Sequence, residues 1–158
     1  IKAKTLVFDD QEEVKKAYEK GKLNRNVIIV VRNQGPKANG MPELHSLTPM
    51  LSNVQDLGFK VALLTDGRMS GASGKILAAI HVTPEAIDNG VIGKIEDDDE
   101  IEIDANNGKL NILTDISKRK NSLLNDIKKN QSFGRNIFNT LRINSQGSEE
   151  GGGIKLID

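Results

Sequence analysis

Cysteine and tryptophan are missing from these 158 residues, and one tyrosine and four phenylalanines are the only aromatics. Without thiols the chain has no disulfide, no nucleophilic cysteine and no thiolate ligands for zinc or an iron–sulfur cluster. Chemistry of that kind has to be supplied from elsewhere. Net charge is lacking too, because 22 Lys and Arg offset 22 Asp and Glu. Nucleic acids and anionic membranes recruit proteins through clustered cations, so neither is an expected partner. No apolar run approaches the eighteen or so residues of a membrane span, and no charged leader precedes a short apolar stretch and cleavage site. The expected compartment is the cytoplasm. The first residue is Ile1 rather than Met, which suggests a piece cut from a longer chain. A chain of this length can bury one core without cross-links or a structural metal, and residues 1–158 are read as one domain.

What is present alternates between strands and helices. Lys4 to Phe8 reads as a strand, and Asp9 with Glu12 has the spacing of an N-cap and its reciprocal partner, predicting a helix that Gly21 stops. Val27 to Val31 is an unbroken β-branched run, the mark of a strand covered on both faces. A loop rich in Gly, Pro and Asn follows from Arg32 to Pro42. Leu44, Leu47, Leu51 and Val54 then recur at helical spacing and predict a helix over Glu43 to Leu57, before a strand over Lys60 to Thr65. Asp66 to Lys75 is a second glycine-rich loop. Ligands of α/β sheets bind at the carboxyl ends of strands, so both loops are expected to line one cleft. Downstream, alternating residues around Asn107-Gly108 predict a hairpin of Glu100 to Ala105 with Lys109 to Leu113. Thr114 to Gln131 reads as a charged helix. Ser145 to Gly153 is rich in Ser, Glu and Gly, and residues 145–158 are expected to form a flexible tail or to be anchored by a partner surface.

The second loop is not a nucleotide cradle. Gly74-Lys75 resembles the end of a P-loop, but Met69 replaces the first glycine and Ile76 the magnesium-binding hydroxyl. A nucleophile elbow fails as well, because neither Ser70 nor Ser73 has the flanking glycines. Successive glycines do let backbone N–H groups turn inward as an anion nest, to which Arg68, Ser70, Ser73 and Lys75 add hydroxyls and positive charge. A tight left-handed turn with a solvated serine is the plainer alternative. Glu43 follows Pro42 and would suit a helix first turn, or it could complete a magnesium site whose other oxygens lie on another domain. His45 and His81 lack the spacing of a metal pair, and His81 beside Ile80 and Val82 reads as structural. The acidic run Glu96 to Glu100 and the basic clusters Lys118-Arg119-Lys120 and Lys128-Lys129 read as solvated surface.

Three stretches together carry a resemblance: Gln34-Gly35-Pro36-Lys37-Ala38-Asn39-Gly40-Met41-Pro42-Glu43-Leu44-His45, then Thr65-Asp66-Gly67-Arg68-Met69-Ser70-Gly71-Ala72-Ser73-Gly74-Lys75, then His81-Val82-Thr83-Pro84-Glu85-Ala86. In this order they are similar to the dihydroxyacid dehydratase and phosphogluconate dehydratase family, with Ala38-Asn39-Gly40 and Ala72-Ser73-Gly74-Lys75 closer to its phosphogluconate branch. Phe133 to Phe138 and Glu149-Glu150-Gly151-Gly152 extend the likeness over nearly the whole chain, as the carboxyl-terminal part of such an enzyme. The resemblance implies an α/β swivelling domain with a mixed, barrel-like sheet flanked by helices, like the mobile domain of aconitase. That domain would close over an N-terminal domain bearing the cysteine-held iron–sulfur cluster. It implies a hydro-lyase that dehydrates 6-phosphogluconate to 2-keto-3-deoxy-6-phosphogluconate as a full-length homodimer, the fragment alone being inactive. Ser70 matches the proposed base, acting as an alkoxide held by magnesium and loop N–H groups, and Glu43 matches a magnesium ligand. Lys37, Arg68, Ser73 and Lys75 are candidate binders of substrate anions. A dihydroxyacid or sugar-acid dehydratase, or a free-standing small-anion binding module, are the alternatives.

Overall fold

A computed structural model of the chain describes residues 1–70, 74–121 and 139–155. Strands β1 (Lys2–Phe8), β2 (Val27–Val31), β3 (Val61–Thr65) and β4 (Leu77–Ala79) run parallel, while β5 (Glu100–Asp104) and β6 (Lys109–Ile112) add an antiparallel hairpin beside β1. The strand order is β4-β3-β2-β1-β5-β6, a mixed six-stranded sheet that curls into a half-barrel. The expected α/β class with a mixed, barrel-like sheet is what forms.

The two central strands explain the core. Every residue of β2 and β3 is buried, and successive side chains point to opposite faces. Val27, Ile29, Val31, Val61 and Leu63 meet one face, where α1 (Gln11–Glu19) brings Val14 and Ala17 and α3 (Leu47–Asp56) brings Leu47, Leu51 and Val54. Ile28, Val30, Ala62 and Leu64 meet the other face, covered by Ala86, Ile92 and Ile95 from two short 3-10 turns and by Ile101 and Ile103 of β5. Among the described residues the main helices therefore flank one face only, with turns closing the other. Truncating fully buried Leu51 to Ala would cost about 2–5 kcal/mol in lost transfer energy and residual cavity.

Three boundaries differ from the sequence expectations. The cap of α1 is Asp10, whose Oδ1 accepts Glu12 N–H at 2.8 Å, because Asp9 is drawn away to Arg32 Nε at 2.7 Å. α3 starts at Leu47, not Glu43: Glu43 forms an isolated parallel bridge with Arg68, and Leu44 N–H donates to Arg68 O at 3.1 Å. Residues 114–121 are not helical, since Asp115 holds a turn onto Ser117 N–H at 3.0 Å and Arg119 is tied to Asp99; the rest of that predicted helix lies outside the described residues. The loop after β2 also contains a short helix, α2 (Pro36–Asn39).

Residues 145–155 turn back on themselves. Ser145 bridges Ile154 around a 3-10 turn at Ser148–Glu150, and Gln146 N–H donates to Gly153 O at 2.8 Å. This segment lies against α2, where a Cβ built on Gly152 would sit 3.5 Å from Pro36 Cγ.

Candidate active site

Buried polar residues gather at the carboxyl ends of the parallel strands, where Asn33, Gln34, Thr65, Asp66 and Glu85 are all removed from water. Asp66 is their hub. Its carboxylate accepts backbone N–H groups from Gln34 at 2.8 Å, Asn33 at 3.0 Å and Ala86 at 3.1 Å, joining three separate loops. Burial pushes the Asp66 carboxyl up, and these N–H bonds pull against the shift. Glu85 sits below the start of α2 and accepts Lys37 N–H at 3.2 Å and Ala38 N–H at 3.3 Å; it too is pushed up, mainly by burial. Gly35 and Gly67 leave room for this layer. A Cβ on Gly67 would lie 2.6 Å from Gln34 Cβ, and one on Gly35 would collide with the Glu85 carboxylate.

Above this layer the two glycine-rich loops meet. Glu43 Oε1 accepts the Ser70 N–H at 2.7 Å and the His45 N–H at 3.0 Å, while His45 Nδ1 lies 3.0 Å from Ser70 O. The Ser70 N–H holds the Glu43 carboxyl below its usual range, with the Ser70 hydroxyl, the His45 N–H and the Arg68 charge adding to the effect. Arg68 Nη1 is 3.6 Å from Glu43 Oε2, and its Nε donates to Met41 O at 3.0 Å. Gly40 and Met41 both adopt left-handed backbone, at φ 69° and φ 57°, which is costly for a bulky Met and turns the chain sharply into Glu43. An ionised carboxylate, a serine and an arginine therefore face one another at the mouth of the sheet.

The chain matches the dihydroxy-acid/6-phosphogluconate dehydratase C-terminal family over residues 1–152. It belongs to that family. A phosphogluconate dehydratase of Zymomonas mobilis is 49% identical over 154 residues, covering 96% of this chain and 25% of that protein. One from Helicobacter pylori is 48% identical over 166 residues, covering 99% of this chain and 27% of that protein. A dihydroxy-acid dehydratase of Campylobacter lari aligns less fully, at 44% over 124 residues and 76% of this chain. The chain spans about a quarter of the length of the phosphogluconate dehydratases it matches.

Within this family domain the other predicted site residues scatter. Lys37 Nζ pairs with Asp88 Oδ2 at 2.6 Å on the far side of α2. Lys75 reaches Asp56 at 3.3 Å; Asp56 ends α3 and Lys75 precedes β4, so this pair sits at the amino ends of the strands, away from Glu43. Ser73 lies outside the described residues. His81 is exposed and uses its backbone N–H on Gly67 O at 2.9 Å. His45, Asp66 and Glu85 are the residues that sequence reasoning left without a role. Their only signal was position, because each lies inside one of the three stretches shared with the family.

Glu43 suits magnesium in part. Its side chain is 30% exposed, its carboxyl is held below the usual range, and Oε2 lies 3.6 Å from Arg68 Nη1, so the group offers a hard oxygen donor. The Arg68 charge competes with a cation there. No cluster of three or more His, Cys, Asp or Glu suited to a metal occurs among the described residues, so Glu43 would be a single ligand among others from outside. An iron–sulfur cluster finds no thiolate anywhere in this chain.

Proposed function

We propose that this chain is the C-terminal part of a phosphogluconate dehydratase, a hydro-lyase that removes water from 6-phospho-D-gluconate to give 2-keto-3-deoxy-6-phosphogluconate. The observation that carries the proposal is the convergence of Glu43 and Ser70, from two separate loops, on one 2.7 Å contact. The names of the relatives and the quarter-length match support the substrate and the need for a preceding N-terminal domain. On this reading the domain swivels onto that partner, the full-length enzyme works as a cytoplasmic homodimer, and the isolated chain is inactive.

Ser70 Oγ takes the proton from the carbon next to the substrate carboxylate. The C–O bond of the neighbouring carbon breaks, hydroxide leaves and is protonated to water, and the resulting enol tautomerises to the keto acid. A neutral hydroxyl is far too weak a base for this, so Ser70 has to react as an alkoxide. Glu43 fixes the Ser70 backbone through Oε1, while its low affinity for protons keeps it a carboxylate under working conditions. Glu43 would hold magnesium in part, and the ion, when bound, would supply positive charge that makes a neighbouring hydroxyl more acidic. The iron–sulfur cluster has no ligands here and belongs to the N-terminal domain. On this reading Arg68, whose Nη1 lies 3.6 Å from Glu43 Oε2, binds the substrate carboxylate.

The test is turnover by the full-length protein of 6-phosphogluconate against 2,3-dihydroxy acids and unphosphorylated sugar acids, read as 2-keto acid formed. Strong preference for 6-phosphogluconate is expected. Preference for a branched dihydroxy acid would move the enzyme to the other branch of the family.

A further inference from the structure

One pocket plays no part in the chemistry assigned to Glu43 and Ser70. It is a cavity of about 390 Å³ between α2 and the C-terminal segment, lined in part by Lys37, Asp88, Arg142, Ser145 and Lys155. Three of these are cations. Lys37 is already matched by Asp88, and Glu150 lies close enough to favour its charge further. Arg142 and Lys155 have no acidic partner among the described residues. Among the described residues the Arg142 side chain donates from Nη2 to Asn139 Oδ1 at 3.2 Å, and its buried Nε has no acceptor. A buried donor left unmatched in a native fold calls for a bound partner or water. Nε and Nη together form the fork with which arginine grips phosphate, and lysine adds a mobile point charge.

This pocket is joined to the reacting end by a short stretch of chain. Lys37 and Ala38 form its wall, Gly40 backs onto Arg142, with a built Cβ 4.0 Å from Arg142 Cγ, and Glu43 follows three residues later. A substrate carrying its carboxylate and its phosphate at opposite ends of a carbon chain needs this kind of two-ended arrangement. We propose that the pocket seats the phosphate ester of the sugar-acid substrate, with Arg142 and Lys155 as its cationic ligands. This rests on the dehydratase reading and deepens it by assigning selectivity for phosphorylated acids to two residues outside the glycine loops.

In the full-length enzyme, Lys155→Ala and Arg142→Ala should each raise KM for 6-phosphogluconate about tenfold or more, with kcat nearly unchanged, as expected for a charge-assisted contact made equally in ground and transition states. Both should weaken inhibition by inorganic phosphate in parallel. Lys155 is exposed, so its truncation does not threaten the fold, and Arg142→Lys keeps packing and charge while losing the fork. An unchanged KM and unchanged phosphate inhibition in Lys155→Ala and Arg142→Lys would overturn the proposal. Failure of the dehydratase reading itself would look different: the wild-type protein would form no keto acid from any sugar acid. Binding of inorganic phosphate, followed by phosphorus NMR line broadening, still tests the pocket in that case. Loss of broadening in the double alanine variant supports it, and equal broadening refutes it.

Discussion

Asp66 and Asp99 are both buried aspartates, yet the protein neutralises them in different ways. Asp99, just before β5, takes both arms of Arg119, at 2.5 and 2.9 Å, plus the Glu96 N–H at 2.8 Å. Burial works against its charge, but Arg119 and the Glu96 N–H win, and its carboxyl lies below the usual range. Asp66 has burial set against backbone N–H groups, those of Asn33, Gln34, Ala86 and its own, and burial wins. The first is a closed local lock on the edge hairpin. The second keeps a carboxyl under the candidate active site and spends its hydrogen bonds on the loops of Asn33-Gln34 and Ala86, which must stay in register with its own for Glu43 to meet Ser70. The difference marks the carboxyl end of the sheet as the place where the fold accepts strain and buried charge, as functional sites do.

The sharpest way to break the comparison is Asp66→Ala. It leaves three buried N–H groups without acceptors, each costing about 1–3 kcal/mol, so a loss of roughly 3 kcal/mol or more is expected in a denaturant titration. Gly67→Ala should come next, since a Cβ there strikes Gln34 Cβ and O; the melting temperature should fall and turnover with it. Arg119→Ala should lower the melting temperature too, but leave the KM of the full-length enzyme unchanged, because Asp99 belongs to the hairpin lock.

The two aspartates also give opposite pH slopes. Asp66 has a raised folded-state value, so its contribution is full below the unfolded carboxyl value and is lost as pH rises through the folded one. Asp99 has a lowered value, so its contribution is full above the unfolded value and is lost as pH falls through the folded one. In thermal melts from about pH 3 to 7, the gap between wild type and Asp99→Asn should widen as pH rises, while that for Asp66→Asn should narrow. Parallel curves would contradict the assignment. The smallest effect belongs to Lys75→Ala. Its exposed pair with Asp56 should contribute almost nothing, and the melting temperature should move by no more than about 2 °C.

These contrasts also show which features could be read from the sequence. The β-branched run Val27 to Val31 and the Asn107-Gly108 hairpin were legible because side-chain period and turn chemistry act locally. The start of α3 was not, since the Leu periodicity continued back to Leu44 while a distant partner, Arg68, took the Glu43 backbone. Arg119 shows the same limit: its solvated appearance hid a buried aspartate twenty residues earlier. At the candidate site, Glu43 and Ser70 were picked out by loop chemistry and family likeness, and the structure adds their contact and the His45 contact to Ser70. Asp66 and Glu85 were invisible as a supporting layer, because an acidic residue in a loop looks solvated until its amide partners from other loops are known.

The proposal that this domain supplies the base of a dehydratase stands or falls on Ser70. The direct measurement is the rate of 6-phosphogluconate dehydration by the full-length enzyme carrying Ser70→Ala, with metal content and melting temperature matched to wild type. Loss of a positioned proton acceptor predicts a fall in kcat of at least about 100-fold with KM little changed. A turnover within about twofold of wild type would contradict it, because the Glu43–Ser70 contact would then be architecture rather than chemistry.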